Sequence, residues 1–192
     1  MDPALPRLTS DTLEVLALSL MPADAVLQYY VRNRAHLEPV EPLRPSDFYT
    51  VEHWTRRAVQ AVAELRGDRA LRLVVVERDA PDTVVGVINY TNIIRGPFQA
   101  CMLGFSLDER AQGRGIMTRA LQLSVHHVFD VMNLHRIMAN HMPRNLRSAS
   151  VLQRLGFQRE GLAAAYVRIH GAWEDHVLNS LVNPTWRETN PD

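Results

Sequence analysis

The run Arg110-Ala-Gln-Gly113-Arg-Gly115 constrains this chain more than any other stretch, because it joins a strand-like segment to a helix-like one. Met102 to Leu107 reads as the end of a strand, and apolar residues from Ile116 to about Phe129 recur at helical spacing. The first turn of such a helix has N–H groups with no partner inside the helix, at the positive end of its dipole. Glycine lets the backbone approach an anion closely and take up positive φ. Strand, glycine loop and helix in that order therefore make a phosphate cradle, to which Arg110 and Arg114 add charge. Two other cradles are excluded. No Gly-x-x-x-x-Gly-Lys-Ser/Thr string exists, and Gly113-Arg-Gly115-Ile-Met is followed by Thr118 where a dinucleotide fingerprint needs glycine. Gly-x-Gly by itself is equally a turn that merely starts a helix.

Around this unit the chain alternates α and β signals without a repeat or a linker. Thr12 to Leu18 suggests a first strand and Ala23 to Leu37 a helix. The prolines of Glu38 to Pro45 rule out helix interior and make that segment a loop. Thr50 to Arg66 is a second helix ended by Gly67. Ala70 to Glu77 and Thr83 to Ile94 form a hairpin about Asp79-Ala-Pro-Asp82, and Gln99 to Leu107 follows as a strand. Arg136 to Met142 is strand-like, Ser148 to Leu155 is a short helix closed by Gly156, and Ala164 to Ile169 with Ala172 to Leu181 make a last hairpin at Gly171. The class is α+β, in a single domain over residues 1–192.

A formal net charge of +0 gives no whole-chain field toward nucleic acid or anionic membrane, so an anionic ligand must be held by local donors. Leu71 to Val76 is among the longest apolar runs and is strand-sized, far short of a membrane span. No signal peptide is visible, and Cys101 is the only cysteine, so no intrachain disulfide forms. A cytoplasmic location is expected.

Downstream stands Asn145-Leu-Arg-Ser148, followed by Leu155-Gly156-Phe157. Read locally, Asn145 caps a short helix, Ser148 sits near its third position, and Gly156 ends it. Arg-x-x-Gly-x-Gly, a helix, a strand, Asn-x-x-Ser and Leu-Gly-Phe in this order resemble the GNAT acetyltransferase superfamily. The runs Arg95-Gly-Pro-Phe-Gln-Ala-Cys101, His135-Arg-Ile-Met-Ala-Asn-His-Met-Pro-Arg-Asn145 and Gly171-Ala-Trp-Glu-Asp-His-Val177 look like its ribosomal-protein-alanine N-acetyltransferase (RimJ) family. The resemblance extends from about Glu38 to Trp186.

The resemblance implies a GNAT fold, a mostly antiparallel mixed sheet flanked by helices and splayed between its fourth and fifth strands, with acetyl-CoA as co-substrate and no metal. By position, the backbone of Phe105, Ser106 and Leu107 would pair with the pantetheine arm. Arg110, Gln112, Gly113, Arg114, Gly115 and Ile116 would hold the pyrophosphate. Asn145 would hydrogen-bond the arm, and Ser148 matches a serine proposed as proton donor to the leaving thiolate. Two departures stand out. Leu152 occupies the place of the tyrosine acid used by many members, and Ala111 replaces an aromatic residue before the loop.

The implied reaction is attack of a neutral amine on the thioester. An α-amine with a pKa of about 8 is roughly one-tenth neutral at pH 7, whereas a lysine amine near about 10.4 needs a far stronger base. Glu41, Glu160 and Glu174 are candidate bases, with Glu41 the choice for the catalytic set, yet none sits in a motif that fixes its role. This favours an α-amine, and the resemblance implies that it is the N-terminal peptide of a protein, the N-terminal alanine of a small-subunit ribosomal protein. The alternatives are a small-molecule amine acetyltransferase and a non-catalytic acyl-CoA-binding module. A peptide enzyme should show an open groove between the Glu38 to Pro45 loop and the last hairpin, a small-molecule enzyme a closed pocket. The chain is expected to act as a monomer or homodimer. His126-His127 cannot face one metal together on a helix. His135 and His141 share a face only if their strand is regular. Trp54 and Trp173 are core residues or pocket walls.

Overall fold

The computed structural model describes residues 4–188. Its eight strands are β1 (Arg7–Thr9), β2 (Leu13–Ala17), β3 (Leu71–Glu77), β4 (Ala80–Ile94), β5 (Ala100–Leu107), β6 (Arg136–Met138), β7 (Gln158–Ile169) and β8 (Ala172–Val182). They form one sheet in the order β1-β2-β3-β4-β5-β6-β8-β7. Every pairing is antiparallel except β5 with β6. The α-helices are α1 (Ala23–Arg32), α2 (Arg34–Leu37), α3 (Val51–Arg66), α4 (Ile116–His126) and α5 (Leu146–Arg154).

The run of apolar residues in β3 is explained by helices on both faces. Leu71, Leu73 and Val75 pack into one core with Ile116, Ala120 and Leu121 of α4. Val74 and Val76, alternating with them, pack into a second core with Tyr29, Tyr30 and Trp54 of α1 and α3. Successive side chains of a strand point to opposite faces, so a strand covered on both sides is apolar throughout. Each fully buried side chain of this kind contributes about 2 kcal/mol.

Several boundaries differ from those expected. A strand precedes Leu13, so the segment taken as the first strand is the second, and the splay lies between the fifth and sixth. The Ala23 to Leu37 helix breaks at Asn33, whose side chain turns to bond the Tyr29 carbonyl and Asp108 instead of continuing outward. Part of the proline segment, Glu38–Val40, is a 3-10 turn, with its proline in the first turn where no N–H is needed. The hairpin turns at Arg78-Asp79, because Glu77 pairs with Ala80. The helix after the glycine loop gives way at His127 to a π-turn, His127–Val131. The segment Arg136 to Met142 keeps regular pairing only to Met138, after which His141 makes a lone bridge to Val177.

That last difference opens the sheet. Ala100, Cys101 and Met102 pair in parallel with Arg136, Ile137 and Met138, and no further. β5 runs on to Leu107 with β4 on one side, Gly86 opposite Leu107. On its other side, the backbone from Leu103 to Leu107 pairs with no strand among the described residues.

Candidate active site

The glycine loop follows β5 directly and is anchored from α1. Asp108 is buried at 6% exposure. Its carboxylate accepts from Arg32 Nε at 2.5 Å, from Asn33 Nδ2 at 3.1 Å and from the Arg110 N–H at 3.0 Å. Burial pushes this carboxyl up, but the bonds from Arg32, Asn33 and Arg110 together outweigh it and hold the group below the usual carboxylate range. Asn33 Oδ1 accepts from the Glu109 N–H at 3.0 Å, and Gln112 Nε2 donates to His36 Nε2 at 2.8 Å. The loop is thus fixed at both ends of its first turn before any ligand enters.

Gly113 and Gly115 have φ of 75° and 70°, the left-handed region that glycine enters without a Cβ penalty. Gly115 is the N-cap of α4, and no side chain caps that end. The N–H groups of its first turn, beginning at the buried Ile116, therefore lack the partner a Ser or Asp would supply. One expectation is corrected here. Arg114 does not add free charge to the cradle, since its guanidinium makes a two-pronged pair with Glu77. Arg110 is exposed, and its side chain makes no hydrogen bond among the described residues.

Beside the splay lies a cavity of about 540 Å³. It brings together Phe105 and Ser106 of β5, Asn145, Ser148 and Leu152 of the α5 segment, and Glu41 of the proline loop. Leu107 and the loop from Arg110 to Ile116 lie outside its lining. Asn145 does cap α5, its Oδ1 accepting from the Ser148 N–H at 3.1 Å. The Ser148 hydroxyl takes no part in that cap, and neither it nor Asn145 Nδ2 bonds to a described residue.

The outer wall is built on aromatic packing. Tyr30 and Trp54 stack with centroids 4.7 Å apart, and Trp54 Nε1 donates to the Phe48 carbonyl at 3.0 Å. Arg44 lies 4.4 Å over the Phe48 ring and pairs with Glu41. The proline loop meets the last hairpin where the His170 N–H donates to the Glu41 carbonyl at 3.0 Å. The groove between the two walls is thus bridged at one point. Trp54 is both core and cavity wall, whereas Trp173 is 65% exposed on the hairpin.

The three candidate bases separate. Glu41 lines the cavity with its carboxylate engaged by Arg44. Glu174 and Glu160 do not line it. Glu174 is held below the usual range by hydrogen bonds from Arg144 at 2.6 and 2.9 Å, and Glu160 by hydrogen bonds from Arg136 and Ser180.

Two histidines that sequence reasoning did not place in the site do line it. His141 and His176 are 8% and 6% exposed. His141 Nδ1 donates to the Met142 carbonyl at 2.9 Å and His176 Nδ1 to the Glu174 carbonyl at 3.0 Å. Each neutral ring then presents Nε2 as an acceptor. Both lie inside runs that carry the family resemblance, which was the signal available. His135, expected to share a face with His141, instead packs edge-on against Trp186 at 5.6 Å, because the strand ends between them. Cys101 is fully buried outside the cavity lining, and burial pushes its thiol up to about 12, so it is no nucleophile. Among the described residues, no group of three or more His, Cys, Asp or Glu is placed to hold a metal, and no helix is long and apolar enough to cross a membrane.

Comparison with known proteins identifies the family. The acetyltransferase (GNAT) domain family matches residues 5–158. The [ribosomal protein uS5]-alanine N-acetyltransferase of Escherichia coli (strain K12) is 38% identical over 180 residues, 94% of this chain and 92% of that protein. The crystal structure of ribosomal-protein-S5-alanine acetyltransferase from Vibrio fischeri superposes with a TM-score of 0.89 at 42% identity, covering 95% of this chain and 100% of that one. Mycobacterium smegmatis RimJ, solved in complex with CoA-disulfide, superposes with a TM-score of 0.85 at 28% identity, covering 98% of this chain and 91% of that one. With four-fifths of its length matched and a splayed mixed sheet behind the glycine loop, this chain belongs to the GNAT acetyltransferase family.

Proposed function

We propose that this chain transfers the acetyl group of acetyl-CoA to the N-terminal α-amine of a protein, namely the N-terminal alanine of a small-subunit ribosomal protein. The observation that carries the chemistry is a cavity that joins the open edge of β5, with Asn145 and Ser148, to a second wall bearing Glu41 and His176. The acceptor rests on likeness to the uS5-alanine N-acetyltransferase of Escherichia coli. Acetyl-CoA supplies an activated acyl thioester. The glycine loop and the α4 N-terminus hold its pyrophosphate, and the unpaired backbone of Phe105 to Leu107 holds its arm. Backbone N–H groups of that edge stabilise the oxyanion as the amine attacks. Ser148 gives a proton to the departing thiolate.

His176 takes the proton from the amine. It stands on the hairpin wall with Tyr166, and His141 lies close by through its bridge to Val177. An α-amine is already about one-tenth neutral at pH 7, so a base that acts before attack contributes about tenfold there. His176→Gln is expected to lower kcat by about that factor at pH 7 and to regain most of it as the pH passes about 8. A deficit of the same size at every pH, or none at all, would rule out this role.

The substrate class is tested by comparing an Ala-initiated peptide with spermidine and free lysine at pH 7. The peptide is expected to be acetylated far faster, with rates rising toward about pH 8 as the α-amine becomes neutral. Efficient turnover of spermidine with no turnover of the peptide would replace this reading by a small-molecule acetyltransferase.

A further inference from the structure

Arg57 stands in the wall of the same cavity, one turn beyond Trp54 on α3. Its Nη2 donates to Glu64 Oε2 at 2.9 Å. The same carboxylate oxygen accepts from Arg72 Nε at 2.8 Å, and Arg72 Nη1 donates to Asn89 Oδ1 at 3.1 Å. One carboxylate thus serves two guanidiniums, and the group keeps a net positive charge. Arg57 Nη1 is left over: among the described residues it is the one buried side-chain nitrogen or oxygen without a hydrogen-bond partner. Buried donors are nearly always satisfied, and a charged one left alone is costly. A guanidinium locked by one nitrogen, with another buried and unpaired in a residue that lines the cavity, keeps a donor for an oxygen that arrives with a ligand.

We propose that Arg57 recognises the acceptor, Nη1 donating to the carbonyl oxygen of its first peptide bond. This rests on the acetyltransferase reading above. An α-amine carries such a carbonyl one carbon away from the reacting nitrogen. A polyamine has no oxygen and would bring further positive charge against Arg57 and Arg72. Arg57 therefore selects the α-amino acyl group by chemistry.

The test pairs two acceptors with two variants. One acceptor is an Ala-initiated peptide; the other is its isostere with the first amide replaced by a trans-alkene, which keeps the shape and the amine but lacks the oxygen. Arg57→Gln removes the charge. Arg57→Lys keeps a cation for Glu64 while losing the second nitrogen, and it carries the test if the glutamine variant does not fold. A hydrogen bond to a charged donor predicts a loss of about tenfold to a hundredfold in kcat/KM for the amide peptide, mainly through KM, in either variant. The alkene acceptor should change by less than about twofold, because it never made the bond. Equal losses on both acceptors would mean that Arg57 only supports the fold, and the assignment would fall while the transferase reading stood. Absence of acetylation of any amine by the wild-type protein would remove both.

Discussion

Gly115→Glu is expected to abolish measurable acetyl-CoA binding while leaving the protein folded. Gly115 has φ of 70° and caps α4 with no side chain over the N–H groups of the first turn. A carboxylate added there faces a ligand phosphate. Two unit charges of like sign about 4 Å apart repel by about 4 kcal/mol at an effective dielectric of about 20, or roughly a thousandfold in affinity. The cost to the fold is smaller. A Cβ at this position meets only the far end of the flexible Arg119 side chain, at 3.2 Å, and the left-handed conformation costs a non-glycine residue roughly 1–2 kcal/mol. Gly115→Ala carries the same Cβ and strain without the charge, so it should unfold at a similar temperature yet bind far better than the glutamate variant. Calorimetry that finds the affinity of Gly115→Glu unchanged would remove the phosphate from this loop.

Ser148→Ala should reduce kcat by about a hundredfold, with little effect on KM for acetyl-CoA. General acid help is worth about 10²–10⁴-fold, and a thiolate is a fair leaving group, which puts the effect near the lower end. The rival role, helix capping, predicts a stability loss of about 1 kcal/mol and near-normal turnover. Geometry separates the two roles, because the cap is made by the Asn145 side chain to the backbone N–H of residue 148, which alanine retains. The melting temperature should therefore stay within a degree or two of wild type, given about 4–8 °C per kcal/mol for a small domain and less for one this size. A variant with wild-type kcat would return Ser148 to the status of an ordinary helix residue.

What could be read in the chain was local. Gly113 and Gly115 between a strand and a helix announce a cradle because the physics of that turn involves only neighbouring residues. The β3 run was readable for the same reason. Elements fixed by distant partners were not. β1 is three residues long and exists through its pairing with β2, so it has no hydrophobic signature of its own. The end of β6 at Met138 depends on β5 diverging from it. Asn145 was readable both as a cap and as a cofactor ligand, and its Oδ1 is in fact used for the cap. The pairing of two candidate carboxylates was invisible: Glu160 and Glu174 are tied to Arg136 and Arg144, 24 and 30 residues away. Arg57 lacked any local mark, and His176 had only the resemblance carried by its run. They reach the cavity because β8 and α3 wall it.

The account is tested most directly by the position of the acetyl group on a peptide that begins with alanine and also contains an internal lysine. Incubated with acetyl-CoA and the protein at pH 7, it should gain one acetyl group, and fragmentation in the mass spectrometer should place that group on the N-terminal nitrogen with the lysine unmodified. Acetylation of the lysine in preference to the N-terminus would contradict the account.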